Sequence, residues 1–185
     1  MFFTRQVPFV LAALSLAGCS QDRSDAPAEE TLDSSTQSLA SADLGLSDGT
    51  AAGSATLTEA EGGIVLEIAV SGIEPGEHGF HLHQIGQCDA PDFKSAGGHL
   101  NPLGKSHGKD SPAGSHLGDL PNLSIGDDGA GSLTVPVQGE KAQIMEWLFD
   151  ADGTAIMIHA GPDDYKTDPT GDAGARVACG VLSKT

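Results

Sequence analysis

Six of the seven histidines in this chain, together with one aspartate, stand at spacings that can close two neighbouring metal sites. The first of them lie in the run His78-Gly79-Phe80-His81-Leu82-His83. On an extended strand alternate side chains point to opposite faces, so His81 and His83 project together while Phe80 and Leu82 turn the other way. Two imidazoles held two residues apart on a rigid strand are half of a metal site. His159 belongs to a second alternating stretch, residues 153–160, in which Ile156 and Ile158 share one face and His159 lies opposite them beside Met157. All three imidazoles are therefore expected on the outside of the sheet. Such a set, with a coordination position left open, suits copper.

Between a strand ending near Ile85 and another expected to begin near Gly118 runs a Gly- and Pro-rich segment too long to be a plain connection in a compact domain. It carries His99, His107, His116 and Asp119. Three imidazoles and a carboxylate make a closed tetrahedral set of nitrogen and oxygen donors, the arrangement of structural zinc. A metal there would also tie down a loop that lacks secondary structure of its own. His78 is out of phase with His81 and His83, and its expected role is structural hydrogen bonding.

The elements that must position these residues read as all-β. Residues 51–57, 64–70 and 132–137 alternate or are β-branched, and Glu61-Gly62-Gly63 and Asp127-Asp128-Gly129 supply turns. Ile64, Leu66, Ile68 and Val70 mark one buried face. Residues 141–149 hold a helix-like stretch that is equally open to a strand or a loop. Short strands at turn-punctuated intervals favour a sandwich or flattened barrel.

Ahead of this domain, residues 1–18 read as a secretory signal, with Arg5 near the start and a short apolar run from Phe9 ending in small residues. The run is too short to span a bilayer as a mature helix. Leu16-Ala17-Gly18-Cys19 resembles the bacterial lipobox, which would leave Cys19 as an acylated first residue. Ser20 rather than an aspartate follows it, which by resemblance to Gram-negative lipoproteins favours a periplasmic, outer-membrane anchor. Residues 19–42 then form a lipidated cysteine and a flexible Ser-, Thr-, Ala- and acid-rich spacer, and residues 43–185 are one domain. The expected contact with a membrane is through the N-terminal lipid alone.

Loss of Arg5 with the signal leaves eight Lys and Arg against 26 Asp and Glu, a formal charge of −18. Nucleic acid is excluded as a partner on that ground. The acidity serves solubility in an exported protein, and it would repel an anionic substrate from most of the surface.

Residues 43–182 resemble a copper-zinc superoxide dismutase of the bacterial secreted kind. The resemblance rests on four segments in order: Gly79-Phe80-His81-Leu82-His83, Gly97-Gly98-His99-Leu100-Asn101-Pro102, His116-Leu117-Gly118-Asp119-Leu120, and Gly171-Asp172-Ala173-Gly174-Ala175-Arg176-Val177-Ala178-Cys179-Gly180. It implies an eight-stranded Greek-key flattened β-barrel with long metal-binding and active-site loops. It also implies one copper on His81, His83, His99 and His159, and one zinc on His99, His107, His116 and Asp119. His99 then serves both metals, which only a deprotonated imidazole between two cations can do. By the same resemblance, superoxide is the substrate, copper is alternately reduced and oxidised, and His99 carries a proton to the product. Arg176 is the cation that attracts and orients the anion. Asp163 resembles the carboxylate that links His81 to His107, a position also open to a solvated turn residue. Asp172 stands where an asparagine is often found, and residues 161–172 form a short loop with its own Asp163-Asp164-Tyr165-Lys166 run. The oligomers implied are a monomer or a homodimer.

With Cys19 acylated, Cys88 and Cys179 are an even pair in an oxidising compartment and are expected to bridge. Closing about ninety residues is worth roughly 4–5 kcal/mol in loop entropy. The competing reading of the whole chain is a non-enzymatic envelope lipoprotein that buffers or delivers copper and zinc.

Overall fold

Ile64, Leu66, Ile68 and Val70 alternate with Val65, Glu67 and Ala69, and this period of two builds β3 (Gly63–Val70), which buries each of those four side chains. The computed structural model describes residues 37–60 and 62–185, together with Phe2. The signal, Cys19 and the spacer up to residue 36 lie outside the described residues.

β3 pairs antiparallel with β2 (Ala51–Ala60) on one side and with β7 (Gly131–Val137) on the other. Beyond β2 lie β1 (Ser38–Leu46), β9 (Arg176–Val181), β8 (Ala155–His159) and β5 (Phe80–His83). A short β10 (Ser183–Lys184) also pairs with β1, which completes an eight-stranded sheet. β4 (Gly76–His78) and β6 (Leu123–Ile125) form a second, two-stranded ladder. β4 runs into β5 across Gly79, and β6 contacts β7, so the sheet curls back toward its own start as a flattened barrel. The neighbours β1–β9, β3–β7 and β5–β8 are distant in sequence, as Greek-key connections require.

The β5–β8 ladder separates two apolar clusters. Its register sets Phe80 opposite Ile158 and Leu82 opposite Ile156. These four join the barrel core with Leu57, Leu66 and Leu123. The alternate positions face the other way, where Ala155, Met157 and Cys179 pack with Phe93 and Ala96 of the long loop. At roughly 25 cal/mol per Å² of apolar area, the barrel core supplies most of the driving force, and the smaller cluster fastens the loop to the sheet.

Three expectations change. The sheet begins at Ser38, not Asp43, because Ala40 and Ala42 already alternate into the core. No strand begins at Gly118; the chain there touches β5 only through isolated bridges, and the next strand is β6. Residues 141–148 resolve as a helix, α1 (Lys141–Leu148), whose Ile144 and Leu148 lie one turn apart and are both buried.

Cys88 in the loop and Cys179 in β9 form a disulfide across a separation of 91 residues, with Cα atoms 5.7 Å apart. Replacing both by serine should lower the stability of the metal-free protein by about 2–5 kcal/mol, a fall on the order of 10 °C in Tm. Calorimetry that finds the same midpoint would show that the bridge carries no constraint.

Candidate metal centre

The loop reaches the sheet because its backbone docks on Leu82. Leu100 N donates to Leu82 O at 2.8 Å, Leu82 N donates to Gly118 O at 3.0 Å, and Gly118 N donates to Leu100 O at 3.0 Å. A Cβ at Gly118 would collide with Leu82 O, so this approach needs glycine. The result places His99 beside His83 and Asp119 beside His81. From the other edge, a bulge between Ile158 and His159 swings His159 toward the same place, and Arg176 is its register partner on β9.

The three strand imidazoles do stand on the sheet face away from the barrel core, yet they are not exposed. The docked loops leave His81 and His83 at 0% and His159 at 3% accessibility. His78 enters neither cluster; its ring nitrogens lie 2.7 Å from His159 O and 2.8 Å from Glu74 O.

One nitrogen of each buried ring is held by an acceptor. His81 Nε2 donates to Asp163 Oδ2 at 2.7 Å, His83 Nδ1 to Gly97 O at 3.0 Å, and His159 Nδ1 to Gly174 O at 3.1 Å. His99 Nδ1 lies 2.9 Å from Asp119 Oδ1. The opposite nitrogens, His81 Nδ1, His83 Nε2, His99 Nε2 and His159 Nε2, are buried with no hydrogen-bond partner among the described residues. All four lie within 4.8 Å of one another. Burial pushes His81 down to about 3, His83 to about 2 and His159 to about 4, and it lowers His99 as well. The rings are thus neutral near pH 7, with four lone pairs converging where no donor is present. A cation is the group that such a set fits.

The second set fits one too. Asp119 Oδ1 has three imidazole Nδ1 atoms around it, those of His99, His107 and His116, at 2.9, 3.0 and 3.0 Å. Its partner Oδ2 already accepts from Gly108 N and His116 N. His107 Nε2 donates to Asp163 Oδ1 at 2.9 Å, which leaves His107 Nδ1 turning a lone pair toward a carboxylate oxygen. Two lone pairs face to face repel unless a cation lies between them. Tetrahedral bonds of ~2.0 Å separate ligand atoms by about 3.3 Å, close to the spacing here. Burial opposes the ionisation of Asp119, but donation from the His99 ring and Gly108 N outweighs it and holds the carboxyl well below its usual value.

His99 offers one nitrogen to each set, and Asp163 joins them from behind, through His81 on one side and His107 on the other. Burial opposes its charge, yet donation from His81, His107 and Tyr165 N brings Asp163 down to about 2. Gly171, with φ 66°, lies against this carboxylate, and a Cβ there would stand 2.6 Å from His107 Nε2. Arg176 donates from Nη1 to Phe93 O and from Nη2 to Gly97 O, each at 2.6 Å, so Gly97 O is shared with His83. A cleft of about 400 Å³ lined by Pro91, Asp92, Lys94, Gly174, Ala175 and Arg176 opens beside this guanidinium.

Sequence reasoning from spacing did not find Gly97 and Gly174, which act through carbonyls, or Asn122. Asn122 Oδ1 accepts from Asp163 N at 2.8 Å, and its Nδ2 donates to Asp163 O at 3.0 Å. Backbone acceptors carry no side-chain signal.

A curled Greek-key barrel that holds two donor sets sharing one imidazole defines a two-metal β-barrel protein. The family model for copper/zinc superoxide dismutase (SODC) matches residues 51–182. The chain is 44% identical over 144 residues to "Superoxide dismutase [Cu-Zn] 1" of Aquifex aeolicus, covering 76% of this chain and 85% of that one. It is 46% identical over 139 residues to the Cu-Zn superoxide dismutase of Caulobacter vibrioides, covering 73% and 80%. The crystal structure of a SOD-like protein from Bacillus subtilis aligns with a TM-score of 0.72 at 39% identity, over 77% of this chain and 97% of that one. The chain belongs to the copper/zinc superoxide dismutase family, whose cofactors are copper and zinc.

An amide at position 163 offers one acceptor oxygen to two ring N–H groups, so Asp163→Asn must release either His81 or His107 from its tautomer. Equilibrium dialysis should show metal affinity at the released set falling about 10–100-fold. Unchanged affinity at both sets would remove Asp163 from the role of orienting them.

Proposed function

We propose that the chain dismutates superoxide, with His81, His83, His99 and His159 holding copper and His99, His107, His116 and Asp119 holding zinc. The observation that carries this reading is the convergence of four neutral, unpartnered imidazole nitrogens beside a fixed guanidinium, in a chain of this family. Copper, when bound, supplies a one-electron redox couple, and zinc supplies a positive charge of constant oxidation state. Two superoxide anions and two protons then yield one dioxygen and one hydrogen peroxide.

The protein's own part is placement, charge and protons. Arg176 draws the anion to the cleft and orients it, against the repulsion of an otherwise acidic surface. Burial lowers its pKa, with Asp92 acting the other way, and the guanidinium remains charged. Its field is felt at the neighbouring rings, where it helps keep His83 and His159 neutral. His99 Nε2 is the atom at which a proton is held and from which it is delivered to the departing peroxide. Asp163 holds His81 and His107 in the tautomers that turn their other ring nitrogens toward the metals.

A metal-buffering or delivery role is the weaker reading. Both donor sets are complete, and a protein that only stored metal would have no use for an anion-binding cation seated between two carbonyls beside them. For the location, we propose a lipid anchor at Cys19 in the cell envelope, supported by the Leu16-Ala17-Gly18-Cys19 pattern.

Two measurements test these readings. Arg176→Gln keeps a donor for Gly97 O but loses the charge; the rate constant for superoxide decay should fall about 10–100-fold, with copper and zinc contents unchanged. An unaltered rate would exclude Arg176 from guiding the substrate. Cys19→Ala should move the protein from the membrane to the soluble fraction and abolish incorporation of labelled fatty acid; continued membrane retention would overturn the anchor.

A further inference from the structure

Tyr165, the chain's one tyrosine, is placed where two loops meet. Its backbone N donates to Asp163 Oδ1 at 2.6 Å, and its carbonyl accepts from Asp110 N at 3.0 Å. The phenol oxygen accepts from Asn122 N at 2.8 Å, and Lys109 Nζ lies 4.0 Å from the ring centroid. Asp110 and Lys109 follow His107, while Asn122 follows Asp119. One residue of the 161–172 loop thus grips the zinc-side loop just past His107 and just past Asp119.

The backbone conformation supports a positional role. Tyr165 has φ 62°, a left-handed value that is rare for a bulky side chain. In this conformation N, O and OH reach three partners at once. Gly108 makes room for it, since a Cβ there would run into the Tyr165 carbonyl.

We propose that Tyr165 is the positioning residue that holds the His107–Asp119 loop against Asp163, so that the phenol sets how tightly the zinc-side donors are kept together. The inference rests on the metal reading above. Asn122 connects the two effects, because its N–H is held by the phenol while its side chain pairs with both backbone groups of Asp163. Loss of the phenol oxygen frees Asn122, and with it the backbone from which the Asp163 carboxylate reaches His107. A purely local packing role would change stability without changing the geometry of the bound ion.

The test uses the full-length protein loaded with copper and with either zinc or cobalt(II). Tyr165→Phe keeps the ring under Lys109 and removes only the acceptor; Tyr165→Gly relieves the left-handed backbone and removes the whole side chain. Zinc transfer to a coloured chelator should be about five- to tenfold faster for the Phe variant. The cobalt(II) d–d absorption should shift or weaken in the same variant. The Gly variant should lose zinc at least as fast, despite its relaxed backbone. Wild-type zinc release together with an unchanged cobalt spectrum in Tyr165→Phe would overturn the inference and leave the metal reading standing. Failure of the wild-type protein to bind two metal equivalents would overturn both.

Discussion

The imidazole of His99 has a carboxylate and two imidazoles on one side and three imidazoles on the other, and the rest of the site is arranged around that division. Nδ1 faces Asp119 within the zinc-side set, while Nε2 faces the nitrogens of His81, His83 and His159. Neither environment can be built from a single element. Strands β5 and β8 supply three rings by alternation, but His99 and its carboxylate arrive on a loop held to Leu82 by backbone hydrogen bonds. Burial keeps the rings neutral, and acceptors behind them choose which nitrogen is bare. The two donor sets therefore fit a pair of cations.

The parts of this arrangement that obey a period were legible in the sequence. Alternation placed His81, His83 and His159 on one sheet face and Ile64, Leu66, Ile68 and Val70 on another. Spacing does not report depth, so the strand imidazoles read as outward-facing when loops in fact bury them. The boundary at Asp43 failed because Ala40 and Ala42 are small and look like spacer, although small side chains suffice to pack a strand edge. The strand expected at Gly118 failed for a related reason: the segment touches β5 through bridges that need a glycine's bare backbone, not a run of apolar residues. Residues 141–149 stayed ambiguous because only Ile144 and Leu148 mark a helical face.

Asp163 came from resemblance, and its partners could not have come from spacing at all. The Asn122 side chain pairs with backbone groups of Asp163, Tyr165 joins through its own N and O as well as its phenol, and Gly97 and Gly174 act through their carbonyls alone. Asp172 takes φ 51°, a left-handed value that aspartate tolerates better than most residues. Charge shows the same split between what composition reveals and what geometry adds. A strongly acidic chain would repel an anion, yet one guanidinium beside a cleft reverses the local sign.

Strand β9 carries Arg176 and, three residues later, Cys179; the loop joined to Cys179 through Cys88 also carries Phe93 and Gly97, whose carbonyls seat the guanidinium. Strand, sulfur bridge, loop and cation therefore close into a ring of covalent and hydrogen bonds. The sulfur link closes that ring at the side far from the guanidinium. Two residues outside both donor sets thus belong to the frame that sets where the positive charge points.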